Sequence, residues 1–259
     1  MKNSESWQAI FDKYNLNNHD FNNCPYKITA EQIKEATKHF KKTSQKEVRI
    51  LCKQDTREDR PKVFIDKELF LLPILNGTYI ILKGDGFIDI PDICMETEIY
   101  DSKLDFELKS SLIGNSEMQH LDFAYASSLI RTFLNDQSLV LTIRGRKYCP
   151  EFKFNFKNYS DIIAGSVQTE VDAGFEGKEQ IVLVEAKNSK TKNTIIRQLY
   201  YPYRQWKENT GKLVRTLFFE KRLDEYLIWE FDFSDEYDYG SIYLKQSKKY
   251  KIINSKLVK

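Results

Sequence analysis

The run QTEVDAGFEGKEQIVLVEAKN, residues 168–188, gathers the residue types best suited to chemistry in this chain. Two β-like stretches flank a polar turn around Gly174 to Gln180. Alternation along a strand puts Gln168, Glu170 and Asp172 on one face of the first, and Leu183, Glu185 and Lys187 on one face of the second, with Val171 and Val184 pointing the other way. An acid and a lysine that end an apolar strand are costly to bury unless they are paired or bind a cation. Two carboxylates on neighbouring strand ends can hold a hard divalent cation through oxygen, as Mg²⁺ prefers alongside waters and a substrate phosphate. Lys187 would then orient the attacking water or offset charge on the phosphate. The predicted chemistry is metal-dependent phosphodiester hydrolysis, with Asp172, Glu185 and Lys187 as catalytic residues. The same three residues also fit a simpler description, a strand-end ion-pair cluster without metal. Glu170 is open between a metal carboxylate and a solvated edge charge.

The flanks strengthen the first description. Between Glu185 and Glu208 there is no acid, while Lys187, Lys190, Lys192, Arg197, Arg204 and Lys207 are basic and interleave with Tyr200, Tyr201, Tyr203 and Trp206. Arg197, Tyr201 and Arg204 fall at helical spacing, so one helix face is expected to meet phosphates while Ile195, Leu199 and Trp206 pack inward. Pro202 should kink or restart that helix. Two further basic clusters are candidates for DNA contact. Arg57 and Arg60 lie in the loop KQDTREDRPK, where Arg can read guanine, Asp or Glu cytosine, and Gln54 adenine. Arg144 and Arg146 lie in what reads as the turn RGRKYCP. Either cluster also fits a plain solvated loop.

The elements that would position these residues follow from pattern. Thr29 with Gln32 forms a capping-box signature before Ile33, Ala36, Thr37 and Phe40, predicting a helix over 30–42 with Lys41 and Lys42 at its C-terminal dipole. VRILC, KVFI and ELFLLPIL read as strand-like runs, and Asn76-Gly77 before TYIILK marks a hairpin. Residues 1–110 are therefore expected as an α+β region. Ser116 with Gln119 opens a second unit with a helix over 117–134. Then come LVLTI, EFKFNF, the two strands above, a helix near 194–207, KLVRTLFF, and edge strands near 226–233 and 240–244. The stretch Asp85 to Glu107, with eight acids and one base, reads as a solvated face, a linker or a docking surface. The end from Lys245 carries six lysines and no acid, either a phosphate clamp or a frayed terminus.

At Asp172 and Glu185-Ala186-Lys187 the sequence resembles the PD-(D/E)XK nuclease superfamily, and the helix–strands–helix–strand order over about 117–220 resembles its core. Val171 stands where the family name has Pro, a common departure. The resemblance implies an α/β core within an α+β chain, restriction-endonuclease-like, with a mixed central sheet flanked by helices. It also implies Mg²⁺, the backbone carbonyl of Ala186 as an additional ligand to the metal held by Asp172 and Glu185, and products with a 5′-phosphate and a 3′-hydroxyl. Glu117 is similar to an acid many members carry on the first core helix, although an acid in a first turn also stabilises the helix dipole. Gln198 is similar to a glutamine that some members place near the active site. His120 reads as a surface histidine.

A compact chain without a Walker A pattern most resembles a type II restriction endonuclease within that family. Double-stranded DNA, a homodimer and a cognate DNA methyltransferase are then the expected partners. A repair or recombination nuclease, or a DNA-binding regulator that keeps the fold, are the alternatives. Bulk properties exclude other classes. The 259 residues, 41% hydrophobic and 14% aromatic, can bury a core. Net charge is only +2, so attraction to a polyanion must come from local distribution. Cys24, Cys52, Cys94 and Cys149 are scattered and His is scarce, which argues against structural zinc. MKNSESWQAIF lacks an apolar h-region, and Leu69 to Leu75 is too short and Pro-broken for a membrane span, so a cytoplasmic protein with no membrane partner is expected.

Overall fold

The computed structural model describes residues 3–256. In chain order it forms α1 (Ser4–Lys13), β1 (Tyr26–Thr29), α2 (Ala30–Thr37), α3 (Val48–Leu51), α4 (Lys62–Asp66), β2 (Leu69–Leu75), β3 (Thr78–Lys83), β4 (Phe87–Asp89), β5 (Glu98–Asp101), α5 (Glu117–Ala126) and α6 (Leu129–Leu134). There follow β6 (Val140–Tyr148), β7 (Phe152–Phe156), β8 (Tyr159–Ala164), β9 (Gln168–Glu176), β10 (Gln180–Lys187), β11 (Asn193–Ile195), α7 (Arg197–Thr210), β12 (Leu213–Arg222), β13 (Glu225–Phe233) and β14 (Ile242–Ile253). The class is α+β, as expected.

A seven-stranded sheet in the order β5-β14-β13-β12-β10-β9-β6 is the frame. It is mixed, because β10–β12 and β14–β5 run parallel and the other neighbours antiparallel. Helices cover both faces, each burying its own core. Leu121, Ile130 and Leu134 of α5 and α6 meet Phe175, Val182, Val184 and Phe219 on one side. On the other, Leu199, Tyr200 and Tyr201 of α7 meet Ile181, Leu183, Phe218 and Trp229.

The N-terminal unit is welded to that second core by the alternation of its strands. Leu69 and Leu71 of β2 face Trp7, Phe11 and Phe64, while Phe70, Leu72 and Ile74 face the α7 side of the large sheet. The three-stranded sheet β1-β3-β2 is thus apolar on both faces. Asn76-Gly77 does turn the β2–β3 hairpin, with Gly77 at φ 73°. The capping box forms as expected, Thr29 N donating to Gln32 Oε1 (2.8 Å) and Gln32 N to Thr29 Oγ1 (3.3 Å).

Several expectations are corrected. VRILC and KVFI are short helices, α3 and α4: Val48 and Leu51, at i and i+3, and Val63 and Phe64 join Trp7, Ile10 and Phe11 of α1 in one core, and Trp7 Nε1 donates to Leu51 O at 3.0 Å. The helix expected over 30–42 ends at Thr37, so Lys41 and Lys42 lie beyond it. The helix expected over 117–134 breaks into α5 and α6 at Ser128, which adopts φ 67°. The supposed basic turn continues β6 as far as Tyr148. Residues 226–233 lie inside the sheet as β13, flanked by β12 and β14, rather than at an edge. The lysine-rich end is not frayed over its described part, since it pairs with β13 as far as Lys251 and with β5 as far as Ile253; Leu257, Val258 and Lys259 lie outside the described residues. The acidic stretch is no free face either: Asp85 and Asp89 hold Arg57, Asp92 holds Lys190 and Arg222, and β5 closes one edge of the sheet.

Candidate active site

Glu185 and Lys187 end β10, and Asp172 lies across from them on β9. The two strands pair antiparallel through Ile181–Glu176 to Val184–Ala173, which brings Asp172 alongside the end of β10. Asp172 Oδ2 accepts from Ala186 N at 2.7 Å. A β-bulge aims this carboxylate. Between the pairs Ile143–Gly174 and Gly145–Val171, β6 advances two residues and β9 three. Thr169 therefore bonds Gln205 of α7 at 2.6 Å and Val171 packs on the α7 side, whereas Ala173 and Phe175 face α5 and α6. The expected single face for Gln168, Glu170 and Asp172 is broken at this point, and Val171 does not point away with Val184. Gly174 is required beside the bulge, since a Cβ there would stand 2.7 Å from Ile143 Cβ.

Glu185 is only 9% exposed. Lys187 forms an ion pair with its Oε1, and Gln198 Nε2 donates to the same atom at 2.8 Å, itself held by Thr194 Oγ1 at 2.6 Å. Burial pushes the Glu185 carboxyl up to about 7; Lys187 opposes this, and the charges of Asp172 and Asp55 add to it. Asp172 is also raised, chiefly by burial, against the pull of Ala186 N–H and Lys187. Burial alone would depress Lys187, but the surrounding carboxylates Glu185, Asp172 and Glu117 outweigh it, and the ammonium is held above its ordinary value. Glu117 opens α5, where Ser116 caps Gln119 N at 3.2 Å, and its Oε1 accepts from Asn188 N at 3.2 Å. All four expected catalytic residues thus meet at one place.

They lie in a cleft of about 640 Å³ between the N-terminal unit and the large sheet. Arg49, Lys53, Gln54 and Asp55 line its N-terminal wall; Arg146, Gln168, Arg197 and Gln198 line the other. Asp55 is a carboxylate the motif reasoning did not assign to this centre, because only the folded chain brings residue 55 to residue 185. Its backbone O accepts from Ile195 N at 2.8 Å, docking the loop on β11.

The two carboxylates with the Ala186 carbonyl are an all-oxygen donor set suited to Mg²⁺, and a buried acid lifted to about 7 beside a second acid is what a divalent cation would relieve. Among the described residues, no group of three or more His, Cys, Asp or Glu side chains is placed to hold a metal. A cation here would draw its remaining ligands from the carbonyl, water and substrate.

The basic residues divide. Arg197 is half-buried at the start of α7 and Arg146 is exposed, paired to Glu170 at 3.2 Å; both line the cleft. Arg204 is corrected from phosphate contact to core. It is 2% exposed, and donates to Lys153 O (2.8 Å), Glu236 O (3.0 Å) and Glu208 (3.1 Å). Tyr200, Tyr201 and Tyr203 are buried as well, so the interleaved aromatics are packing, and α7 runs through Pro202. Arg57 is held by Asp85 and Asp89, and Arg60 donates to Arg57 O (3.2 Å) and Leu69 O (3.3 Å) over the Phe87 ring; both brace the loop rather than read bases. Arg144 pairs with Asp122, Lys190 with Asp92 at 2.7 Å, and Lys207 with Glu236 at 2.5 Å. Lys192 is exposed. In the acid-free run 186–207, Lys190 and Lys207 are thus paired to acids distant in sequence, and Lys187 and Arg204 to Glu185 and Glu208 close by. His120 bonds Asn115 Oδ1 at 2.7 Å, a satisfied side chain outside the cleft lining.

No helix among the described residues is long and apolar enough to cross a membrane. No curated protein and no solved structure matches the chain. Two family models do, in tandem. Residues 4–81 match a domain of unknown function (DUF6996), which spans the N-terminal unit and the hairpin wall of the cleft. Residues 82–251, holding Glu117, Asp172, Glu185 and Lys187, match a second model over more than half of the sequence, and the chain belongs to that family, a domain of unknown function (DUF6997).

Proposed function

We propose that the protein is a Mg²⁺-dependent endonuclease that hydrolyses phosphodiesters of double-stranded DNA at defined sequences, leaving 5′-phosphate and 3′-hydroxyl ends. The observation that carries this reading is the convergence of Glu117, Asp172, Glu185 and Lys187 in a cleft lined by Arg49, Lys53, Arg146 and Arg197. Cations on both walls suit a backbone of phosphates, and carboxylates at the centre suit a cation that polarises one of them.

Asp172, Glu185 and the Ala186 carbonyl would hold Mg²⁺, which when bound supplies Lewis-acid polarisation of the phosphoryl oxygen and a more acidic water. Lys187 stays protonated among three carboxylates, so it acts as a charge and not as a general base: it orients water and offsets the negative charge that builds on the phosphate. Gln198 and Thr194 fix Glu185. Ala186 N–H fixes Asp172. Glu117, anchored by Asn188 N, holds the β10 end against α5. A type II restriction enzyme, working as a homodimer beside a methyltransferase of the same specificity, is the form this activity most resembles.

The test is incubation of wild-type and Lys187→Ala protein with long duplex DNA in Mg²⁺ or EDTA, followed by end mapping. Discrete fragments should require Mg²⁺, and the variant should cut at least about 10²- to 10³-fold more slowly, the scale for losing one group that stabilises transition-state charge. It should still bind DNA in Ca²⁺. Full cleavage by Lys187→Ala would sink the site assignment. Cutting confined to junctions or ends would replace a sequence-reading enzyme with a structure-reading one.

A further inference from the structure

Gln54 lines the cleft from the N-terminal wall and is 3% exposed. Neither its Oε1 nor its Nε2 has a hydrogen-bond partner, although both atoms are shut off from solvent. Buried amides are almost always satisfied, because an unmet donor or acceptor has given up water for nothing. The backbone around Gln54 is pinned on both sides. Leu51 O accepts from Trp7 Nε1 at 3.0 Å, Asp55 O accepts from Ile195 N at 2.8 Å, and Arg57 N donates to Asn193 Oδ1 at 2.7 Å. The fold thus fixes the loop and leaves this carboxamide without a partner on the wall of the cleft that also holds Asp172 and Glu185.

The chemistry of the amide sorts what could satisfy it. A phosphate offers acceptors only, so it would meet Nε2 and leave Oε1 unmet; phosphates are better served by Arg49 and Lys53 on the same wall. A single group meets both atoms at once when it presents a donor next to an acceptor. The major-groove edge of adenine, N6–H beside N7, is the base edge that glutamine matches with two bonds. We infer that Gln54 is a base-reading residue, its carboxamide turning into the cleft to pair with adenine of bound duplex DNA. The assignment rests on the nuclease reading above and deepens it, giving the N-terminal unit the discrimination of sequence and the large sheet the chemistry.

Gln54→Met, close in size and apolar, tests it, with Gln54→Ala as a second variant should the first fail to fold. Fragment ends from wild type and variant are mapped on long duplex DNA in Mg²⁺, and thermal melting is recorded without DNA. Gln54→Met should melt at or above the wild-type temperature, since the unpaired amide is gone. It should cut only with Mg²⁺ and lose preference for an A·T pair at one position of the site, by roughly 5- to 150-fold. A higher melting temperature with unchanged site preference overturns the assignment and makes the amide a packing defect, while the nuclease reading stands. Wild-type cutting without sequence preference does the same. Wild-type protein that neither binds nor cuts DNA overturns both.

Discussion

Glu185 and Glu230 are both carboxylates buried on interior strands of one sheet, 9% and 1% exposed, yet their surroundings treat them in opposite ways. Glu230 on β13 meets Arg215 Nε at 2.7 Å and Nη2 at 2.6 Å, Gln246 Nε2 at 2.6 Å and Lys245 at 3.5 Å. Burial alone would raise it, but these partners outweigh burial and hold it below the ordinary carboxylate value. Glu185 on β10 has Lys187 and Gln198, but Asp172 and Asp55 push against its charge, and it is lifted to about 7. One carboxylate is fully compensated and belongs to the fold. The other keeps an excess of negative charge where the sheet opens on a cleft, and that excess is what a bound divalent cation would relieve.

The largest effect that separates the two is on stability. Arg215→Ala takes the bidentate partner from Glu230, leaving it Gln246 and Lys245, and should cost about 3 kcal/mol in denaturant unfolding, the low end for breaking a buried pair by removing one partner. Glu185→Gln should cost far less at pH 7.5, since it removes a charge the fold does not favour. Equal losses in the two variants would erase the distinction. The pH dependence in EDTA carries the same contrast with opposite signs. A Glu185 raised from 4.5 to about 7 contributes stability that is present below about pH 4.5 and lost as pH rises through about 7. A depressed Glu230 contributes stability that is present above 4.5 and lost as pH falls through its lower folded value. Subtracting the Glu185→Gln curve from wild type should isolate the first slope, and a flat difference between pH 4.5 and 7 would contradict it.

This contrast also marks what the sequence could reveal. Asp172, Glu185, Lys187 and Glu117 were legible because strand alternation and a helix start are local facts, and the hairpin that joins β9 to β10 needs only a short polar turn. The face of Asp172 was misread, since the bulge that redirects it depends on register with β6, nearly thirty residues away. Pairing over long distance hid the rest. Arg57 looks available in the sequence, but Asp85 and Asp89 reach it from the start and end of the segment around β4, and the field expected of the run 186–207 is weakened where Asp92 and Glu236 pair with Lys190 and Lys207. Helix α3 was mistaken for a strand because four apolar-rich residues carry too little periodicity to separate the two. Asp55 and Gln54 entered the site only through the docking of one unit on the other.

Arg204 and Arg197 repeat the comparison on a single helix, seven residues apart. Arg204 stacks over Phe152 and Tyr237 and caps two backbone carbonyls, so Arg204→Ala should cost about 2–3 kcal/mol of stability through lost charged hydrogen bonds and leave the salt dependence of DNA binding unchanged. Arg197 sits on the cleft side of the helix start, and Arg197→Ala should leave unfolding within about 0.5 kcal/mol of wild type. Its effect belongs to binding, measured by anisotropy with duplex DNA in Ca²⁺ across a salt series. If Arg197 meets a phosphate, affinity should fall by a similar factor on every sequence, and the slope of log affinity against log salt should shrink by about 1. A loss confined to particular sequences would instead make Arg197 a second reader beside Gln54, because a phosphate contact carries no information about the bases. An unchanged slope with unchanged affinity would take α7 out of the DNA-binding surface altogether, leaving that role to Arg49, Lys53 and Arg146.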